Sequence, residues 1–409
     1  MRVLLLTQYV HPEPFPINQL LAPLREVGAD VTVLTGQPNY PDGRTYEGYR
    51  PWQVTHGQLP DGTPVIRLPT VTRGKRAPVR LVLNYVAFVV MASLLGPWLL
   101  RGQRFDAVLV YAPSPITQAF AGWVLARLKR APLVTWVQDL WPESLAATGF
   151  VTNRRLLAVV GIGVRWLYRR HDLLLGQSNA FVREISTLAP GAPVAYTPNP
   201  GEEIDQPASA HVADAAGSFN VVFAGNLGTL QALDTILDAA ELLRDDPEIR
   251  FTLVGSGSRS DWLASEVARR GLRQVHLPGR FSKAEMPAIF AGADALLVSL
   301  ARQPILAFTI PSKLQSYLSA GRPVLGSLDG EGAELIRRTG AGLVSPAEDA
   351  PALAGNVRRL KAMSPAQRAS MGEAGHRAFR DDFHPLAVAR LIVAQLTACV
   401  ARRPLTFTS

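Results

Sequence analysis

The stretch VVFAGNLGTLQALDTILDAAELL, residues 221–243, decides the fold. It starts as a short apolar strand (221–224), turns through Gly225 and Gly228, and continues as a helix over 232–243. An apolar strand leading through a glycine turn into a helix is the repeating step of a buried parallel sheet. The step recurs downstream, with strands expected at 251–254, 275–277, 295–300, 323–325 and 342–344, and helices over 261–269, 283–290 and 312–320. It recurs upstream too, with strands at 2–7, 30–34, 107–110, 133–137 and 173–176, and helices over 18–27, 115–129 and 154–170. Between the two runs, PNPGEEIDQPASAHVADAAG (198–217) carries three prolines, two glycines and no apolar periodicity, and reads as a linker.

The fold class that follows is α/β, with two Rossmann-like domains facing each other across a cleft. The expected boundaries are 1–200 for the first domain, 201–217 for the linker and 218–385 for the second. A last helix within 386–409 is free to pack back on the first domain. Open α/β sheets bind ligands at the carboxyl ends of their strands, so the loops there are where chemistry is sought.

Composition narrows the class. With 47% hydrophobic and 18% charged residues in 409, the chain is globular and not disordered. A single cysteine, Cys399, excludes a disulfide framework and a cysteine metal cage. The seven histidines form no HxH or HExxH pair, so no dedicated metal site is expected. The apolar run 3–6 has no small-residue cleavage site after it, which predicts a protein that stays in the cytoplasm. The net charge of +9 lies wholly in residues 1–200, which hold 20 basic and 11 acidic residues; residues 201–409 hold 22 of each. That asymmetry predicts a polyanionic partner for the first domain. Residues 81–100 carry no charge and are bracketed by Arg80 and Arg101. The stretch is long enough to cross a bilayer, but strands 2–7 and 107–110 belong to one sheet, so a single crossing would divide it. A helix or bent helix pair lying in the interface, flanked by Arg73, Lys75, Arg76 and Arg80, is expected instead, or else a buried crossover helix.

Five segments carry chemistry. In AGNLGTLQALD (224–234), the glycines let a ligand approach the backbone, and the amides of the following helix favour a phosphate. In VGSGS (254–258), Gly255 and Gly257 suit a tight turn near a nucleotide, though the segment is neither GxGxxG nor a P-loop. In TIPSKLQSYLSAGRPV (309–324), Pro311 suits a first helical turn and the Ser312 hydroxyl can cap it. Lys313 then stands at the positive end of a helix dipole, which is unfavourable unless an anion binds. The chain has five lysines against 37 arginines, so this one is not filler. In TWVQDLWPESL (135–145), Asp139 and Glu143 are four residues apart at a strand's carboxyl end. They are candidates for base or sugar-orienting work, with Trp136 and Trp141 as flat faces for sugar rings. Asp139 can also cap a helix that includes Pro142. The loop TGQPNYPDGRTYEGY (35–49), with His11 and Glu13 nearby, is a candidate acceptor element.

Taken in order, PEPFPIN, VLTGQPNYPDGRTYEGY, VIRLPTVTRGK, LNYVAF, YAPSPIT, WVQDLWPESLAATG, FAGNLGTLQALD, GADALLVSL, TIPSKLQSYLSAGRPV and MSPAQRASMG resemble the family 4 retaining GT-B glycosyltransferases. The likeness is to the bacterial branch of exopolysaccharide and O-antigen synthesis, including colanic-acid-type enzymes and N-acetyl-fucosamine transferases. The resemblance implies a GT-B fold, a nucleotide-sugar donor on the second domain, an acceptor on the first, transfer with retention, and no metal or other cofactor. By position, Gly225, Asn226 and Gly228 would line the donor diphosphate with Gly255 close by, Gly279 and Arg280 would flank the base, and Ser312 and Lys313 would meet the phosphates. Two departures stand out. The family's diphosphate-binding Arg and Lys fall near Asn226 and Gln231, and its EX7E glutamates fall on Phe308 and Ser316.

The expected reaction has Lys313, a helix N-terminus and the glycine-loop amides stabilising the leaving diphosphate. Asp139 orients or deprotonates the acceptor hydroxyl, and Glu143 assists. UDP is the expected carrier and a polyprenyl-diphosphate-linked saccharide the expected acceptor, met at an anionic membrane surface; no nucleic acid is expected. Rival readings are a UDP-sugar 2-epimerase, a basic nucleic-acid binder and a non-catalytic scaffold. An epimerase needs several acids and histidines around the sugar, which this chain does not show near its donor motifs, and a nucleic-acid binder needs aromatics interleaved with its basic residues, which are not found here. The intact glycine loops disfavour a scaffold.

Overall fold

In a computed structural model, residues 1–74, 78–147, 151–204 and 218–402 are described. The chain divides into two compact units, 1–200 with 385–409, and 201–384.

The first unit runs β1 (Arg2–Leu6), α1 (Leu21–Glu26), β2 (Asp30–Gly36), β3 (Thr55–Gln58), β4 (Pro64–Leu68), α2 (Pro78–Leu99), β5 (Ala107–Ala112), α3 (Gln118–Lys129), β6 (Leu133–Val137), α4 (Glu143–Ala147), α5 (Arg154–Tyr168), β7 (Leu173–Gly176), α6 (Asn179–Leu188) and β8 (Val194–Tyr196). Its sheet has the order β3-β4-β2-β1-β5-β6-β7-β8. All pairs are parallel except the β3–β4 hairpin at the edge. The central strands β5 and β6 are buried at every position, as strands covered on both faces must be.

The helix expected over 18–27 is two pieces: a 3-10 turn, Pro16–Gln19, and α1. Pro23 explains the break. It has no N–H to donate and is tolerated only near a helix start, so α1 begins at Leu21. The C-terminal helix Pro385–Arg402 belongs to this unit. It lays Val388, Ala389, Ile392, Leu396 and Cys399 into the same core as Val3, Leu5, Leu109 and Trp136. Those positions form one helical stripe.

α2 is one continuous helix through Pro97, long and apolar enough to cross a membrane. It is nonetheless the crossover between β4 and β5, two strands of one sheet. Asn84, Phe88, Ala92 and Gly96, four residues apart, face inward. The other face is open: Val82, Val86 and Val90 are exposed, as are Leu94 (69% exposed) and Trp98 (65%). The helix is therefore a crossover on one face and bare hydrocarbon on the other. Lys75 and Arg76, expected to flank it, lie outside the described residues.

The second unit runs β9 (Phe219–Asn226), α7 (Leu233–Leu242), β10 (Ile249–Ser256), α8 (Ser260–Arg270), β11 (Val275–Gly279), α9 (Met286–Ala291), β12 (Ala295–Ser299), α10 (Pro304–Ala307), α11 (Ser312–Ser319), β13 (Val324–Ser327), α12 (Gly330–Thr339), β14 (Gly342–Ser345), α13 (Ala350–Ala362) and α14 (Pro365–Ala378). Its sheet is wholly parallel in the order β11-β10-β9-β12-β13-β14. Apolar clusters cover both faces, one around Phe223, Ile236 and Phe251, the other around Val222, Leu296 and Tyr317. Of the expected linker 201–217, only residues 201–204 lie within the described residues.

Candidate functional site

In the second unit, β9 and β10 pair in register to their last residues, Gly255 beside Gly225 and Ser256 beside Asn226. Gly255 has φ +141°, and a Cβ there would stand 1.8 Å from the Gly225 carbonyl oxygen. Only glycine lets the two strand ends close in this way. α11 is held opposite them by Tyr317. The Ala224 N–H donates to the Tyr317 Oη at 2.8 Å, and that hydroxyl donates to the Ala224 carbonyl at 3.1 Å. With Leu314 and Leu318 buried beneath, the start of α11 faces the glycine loops.

These elements enclose a cavity of about 400 Å³. Gly225, Asn226, Gly255, Arg280, Lys313 and Ser316 all line it. Gly228, Gly279 and Ser312 do not: Gly228 lies against the Asn226 side chain, Gly279 ends β11 one residue before Arg280, and Ser312 is exposed. Ser312 also does not cap α11. Pro311 occupies the N-cap with extended dihedrals, which makes Ser312 the first helical residue, and the proline makes no side-chain cap bond. The N-cap therefore supplies no side-chain acceptor to the amides of the first turn, of which Leu314 N–H donates to the Pro311 carbonyl.

Lys313 is the second residue of α11 and partly buried. Its ammonium donates to the Gln231 Oε1, lies 4.0 Å from the centroid of the Phe223 ring, and forms no salt bridge among the described residues. Burial lowers its pKa from the usual lysine value to about 7. Gln231, at the position where the resemblance puts a lysine, is instead the acceptor that holds Lys313. The pocket also includes residues without a sequence signal. Lys283 bonds Glu202 at 2.8 Å on its rim, and Phe281, Met286 and Phe290 form its apolar wall.

A larger cavity, about 570 Å³, is lined by Asp294, Arg322, Arg368, His376 and Arg377. It opens where β12 and β13 begin, the end of a parallel sheet at which ligands are not bound.

In the first unit, Asp139 follows β6. Its Oδ2 accepts from the Trp141 indole at 3.2 Å, and the same indole N–H lies 3.3 Å from the Ser114 Oγ. Among the described residues no helix amide donates to Asp139, so it does not take the capping role. Glu143 starts α4 and is exposed. Residual desolvation, then Glu184 and Asp139, raise its carboxyl above the usual range. Trp136 is not available to a sugar. It is fully buried in β6, edge-on to Tyr111, with its indole donating to the Thr197 carbonyl. A strand buried on both faces leaves no surface for it. Trp141 is half-buried.

Glu13 is fully buried, and its Oε1 accepts from the amides of Asn39 (2.9 Å) and Tyr40 (2.8 Å). Burial raises its pKa to about 7 against the pull of those bonds and of Arg67. Arg67, in the VIRLPTVTRGK segment but given no role there, is buried beside it and donates to backbone carbonyls of His11 and Gly36. With His11, Tyr49, Arg50 and His56 it lines a cavity of about 440 Å³. Among the described residues no group of three His, Cys, Asp or Glu side chains is placed to hold a metal ion.

Residues 218–362 match the family described as Glycosyl transferases group 1, and residues 17–200 match the Glycosyl transferase 4-like domain. The chain is 24% identical over 307 residues to the putative colanic acid biosynthesis glycosyl transferase WcaI of Escherichia coli K12, covering 72% of this chain and 74% of that one. Among solved structures it resembles Anabaena Alr3699/HepE in complex with UDP (TM-score 0.67, 16% identity, 97% of this chain and 100% of that one). It also resembles WaaG, a glycosyltransferase involved in lipopolysaccharide biosynthesis (TM-score 0.61, 16% identity, 96% and 99%). Both have the two-domain α/β fold seen here.

Proposed function

Because the chain belongs to the group 1 glycosyltransferases, with a 4-like N-terminal domain, we propose that it moves a sugar from a nucleoside-diphosphate sugar to a lipid-linked saccharide during exopolysaccharide or O-antigen synthesis. The carrier is UDP, the sugar an N-acetylated hexose or deoxyhexose, and the acceptor carries a polyprenyl diphosphate. The enzyme works without a metal ion and retains the anomeric configuration. It acts from the cytoplasmic side, at an anionic membrane surface.

One observation carries this reading. Lys313 is a cation in a cavity, at a helix N-terminus, with no acidic partner among the described residues. Desolvation disfavours the charge on Lys313 unless an anion lies beside it, and a diphosphate fits the amides, the ammonium and the volume together. As the bond from the sugar C1 to the diphosphate oxygen breaks, charge grows on that oxygen. Lys313 and the first-turn amides of α11 stabilise it. The acceptor hydroxyl bonds to C1 from the same face, with Asp139 orienting it or taking its proton and Glu143 assisting. Of the residues expected at the donor, Ser316 replaces a glutamate, so sugar hydroxyls meet a hydroxyl there.

The test is Lys313→Ala. A charge-assisted hydrogen bond of about 1.5–3 kcal/mol predicts a loss of roughly ten- to a hundredfold in turnover. Wild-type turnover in this variant, or a wild-type rate abolished by EDTA and restored by Mn²⁺, would overturn the mechanism. A thermal-shift screen of nucleotide sugars names the donor.

A further inference from the structure

Between α2, α3 and α5 lies a groove of about 410 Å³ that none of the roles above uses. Val89, Ile116, Phe120, Trp141, Val164 and Trp166 form its walls, which are almost entirely hydrocarbon. Its volume falls within the range of about 300–1,000 Å³ seen for small-molecule sites. Soluble surfaces seldom leave so apolar a cleft open to water. The apolar surface continues beyond it, along the outer face of α2 and over Leu156, Val159 and Ile162 of α5.

Two features say what kind of molecule fits. The first is charge. Arg80 and Arg101 bracket α2, and Arg154, Arg155, Arg165 and Arg169 lie on or beside α5. None of them has a salt bridge among the described residues. An apolar cleft between helices that carry guanidinium groups without salt bridges suits a chain that ends in an anion.

The second is what the groove leads to. Trp141 is both a groove wall and the donor to Asp139. Val89 is one helical turn from Tyr85, whose phenol feels the charges of Arg73 and Asp139. Arg73 stacks over Tyr40, 4.9 Å from its ring centroid, again with no salt bridge among the described residues. Apolar groove, free cation and carboxylate therefore adjoin one another within one unit.

We propose that this groove holds the first isoprene units of the acceptor's lipid, with Arg73 facing its diphosphate and Asp139 its sugar. The inference rests on the acceptor class proposed above and adds where the chain lies. Phe120, Trp141 and Trp166 offer flat faces to the methyl-branched units, and Val89 and Val164 close the sides. The outer face of α2 would then meet the bilayer from which the chain is drawn.

Gly163 opens onto the groove, and a Cβ built there has nothing within 4 Å. A large side chain at this helical position fills the groove without displacing the core. The experiment uses the full chain and geranylgeranyl diphosphate carrying a terminal benzophenone, with photolabelled peptides mapped by mass spectrometry. Labelling is expected on α3 and α5 at the groove. Unlabelled geranylgeranyl diphosphate should compete and inorganic diphosphate should not. In Gly163→Trp and in Gly163→Leu the labelling should fall by about tenfold, because the apolar contact that drives binding is gone, while UDP affinity stays at the wild-type value. Labelling spread over the outer face of α2, equal competition by inorganic diphosphate, or undiminished labelling in both variants overturns the groove and leaves the transferase reading standing. Failure of the wild-type protein to bind any nucleotide sugar instead overturns the transferase reading.

Discussion

Lys313 titrates in a way that can be measured. With no anion beside it, its ammonium is held to a pKa of about 7 by desolvation. A bound diphosphate supplies the missing negative partner and returns the pKa toward the ordinary lysine value. Above pH 7 the free site is neutral and the bound site charged, so binding takes up a proton. UDP affinity should thus be level below about pH 7 and fall above it, by at most about tenfold per pH unit. Calorimetry at pH 8.5 in buffers of different ionisation enthalpy should show uptake of about one proton per UDP in the wild type and none in Lys313→Ala. No uptake in the wild type would mean that Lys313 does not meet the phosphates. The lysine itself was legible from its place after Pro311 and from the scarcity of lysines. Its acceptor was not, because Gln231 lies 82 residues away in sequence and no local pattern ties them. Trp136 was misread for a related reason. An aromatic next to a polar loop looks accessible until the neighbouring strands β5 and β7 are seen to cover it.

The elements divide by how local their causes are. Strands β6 and β7 coincide with the apolar runs 133–137 and 173–176, since strands buried on both faces need no alternation. The hairpin β3–β4 was not legible. β3 is an exposed edge strand whose residues pair only because β4 is beside it. Helix packing is equally hidden in single letters. Gly122 lies in α3 where a Cβ would come within 2.3 Å of a Val110 methyl and 3.3 Å of Leu133. α3 can therefore lie directly on β5, and this close approach sets the floor on which Ile116 and Phe120 reach the apolar groove. Gly122→Ala gains helix propensity, up to about 1 kcal/mol, but puts its methyl 2.3 Å from a buried Val110 methyl, with an overpacking penalty of about 1–3 kcal/mol. Overpacking should win. Urea denaturation should show a lowered midpoint for the first unit with an unchanged slope, whereas Gly163→Ala, in open space on α5, should hold or raise it. A stabilised Gly122→Ala would mean α3 stands farther from β5 than the structure has it.

Over the whole molecule the charge is more polarised than the halves of the sequence suggest. The C-terminal helix, which packs on the first unit, brings basic residues and no acids with it. The first unit then holds 23 basic and 11 acidic residues, and the second 19 and 22. The open face of α2 lies on the strongly basic unit, while the mildly acidic unit carries the cavity lined by Lys313 and the glycine loops. A nucleic-acid binder needs base-reading or stacking groups among its cations. Here Trp166, which lies 3.5 Å under the Arg170 guanidinium, is a wall of the apolar groove, and Trp98 is exposed on the apolar face of α2. The expected partner is an anionic bilayer. Each basic residue near such a surface contributes about 1 kcal/mol, so replacing Arg73, Lys75, Arg76 and Arg80 together by Gln should weaken binding to phosphatidylglycerol vesicles by roughly several hundredfold. Binding should also weaken as salt rises from about 0.1 M to 1 M, where the screening length falls from about 10 Å to 3 Å. The residual binding should depend on α2, so that Leu94→Ser with Trp98→Ser removes it without lowering the melting temperature, both side chains being exposed already. Sedimentation with vesicles reads both effects. If the fourfold variant sediments with anionic vesicles as the wild type does, the charge does not dock the acceptor unit on a membrane.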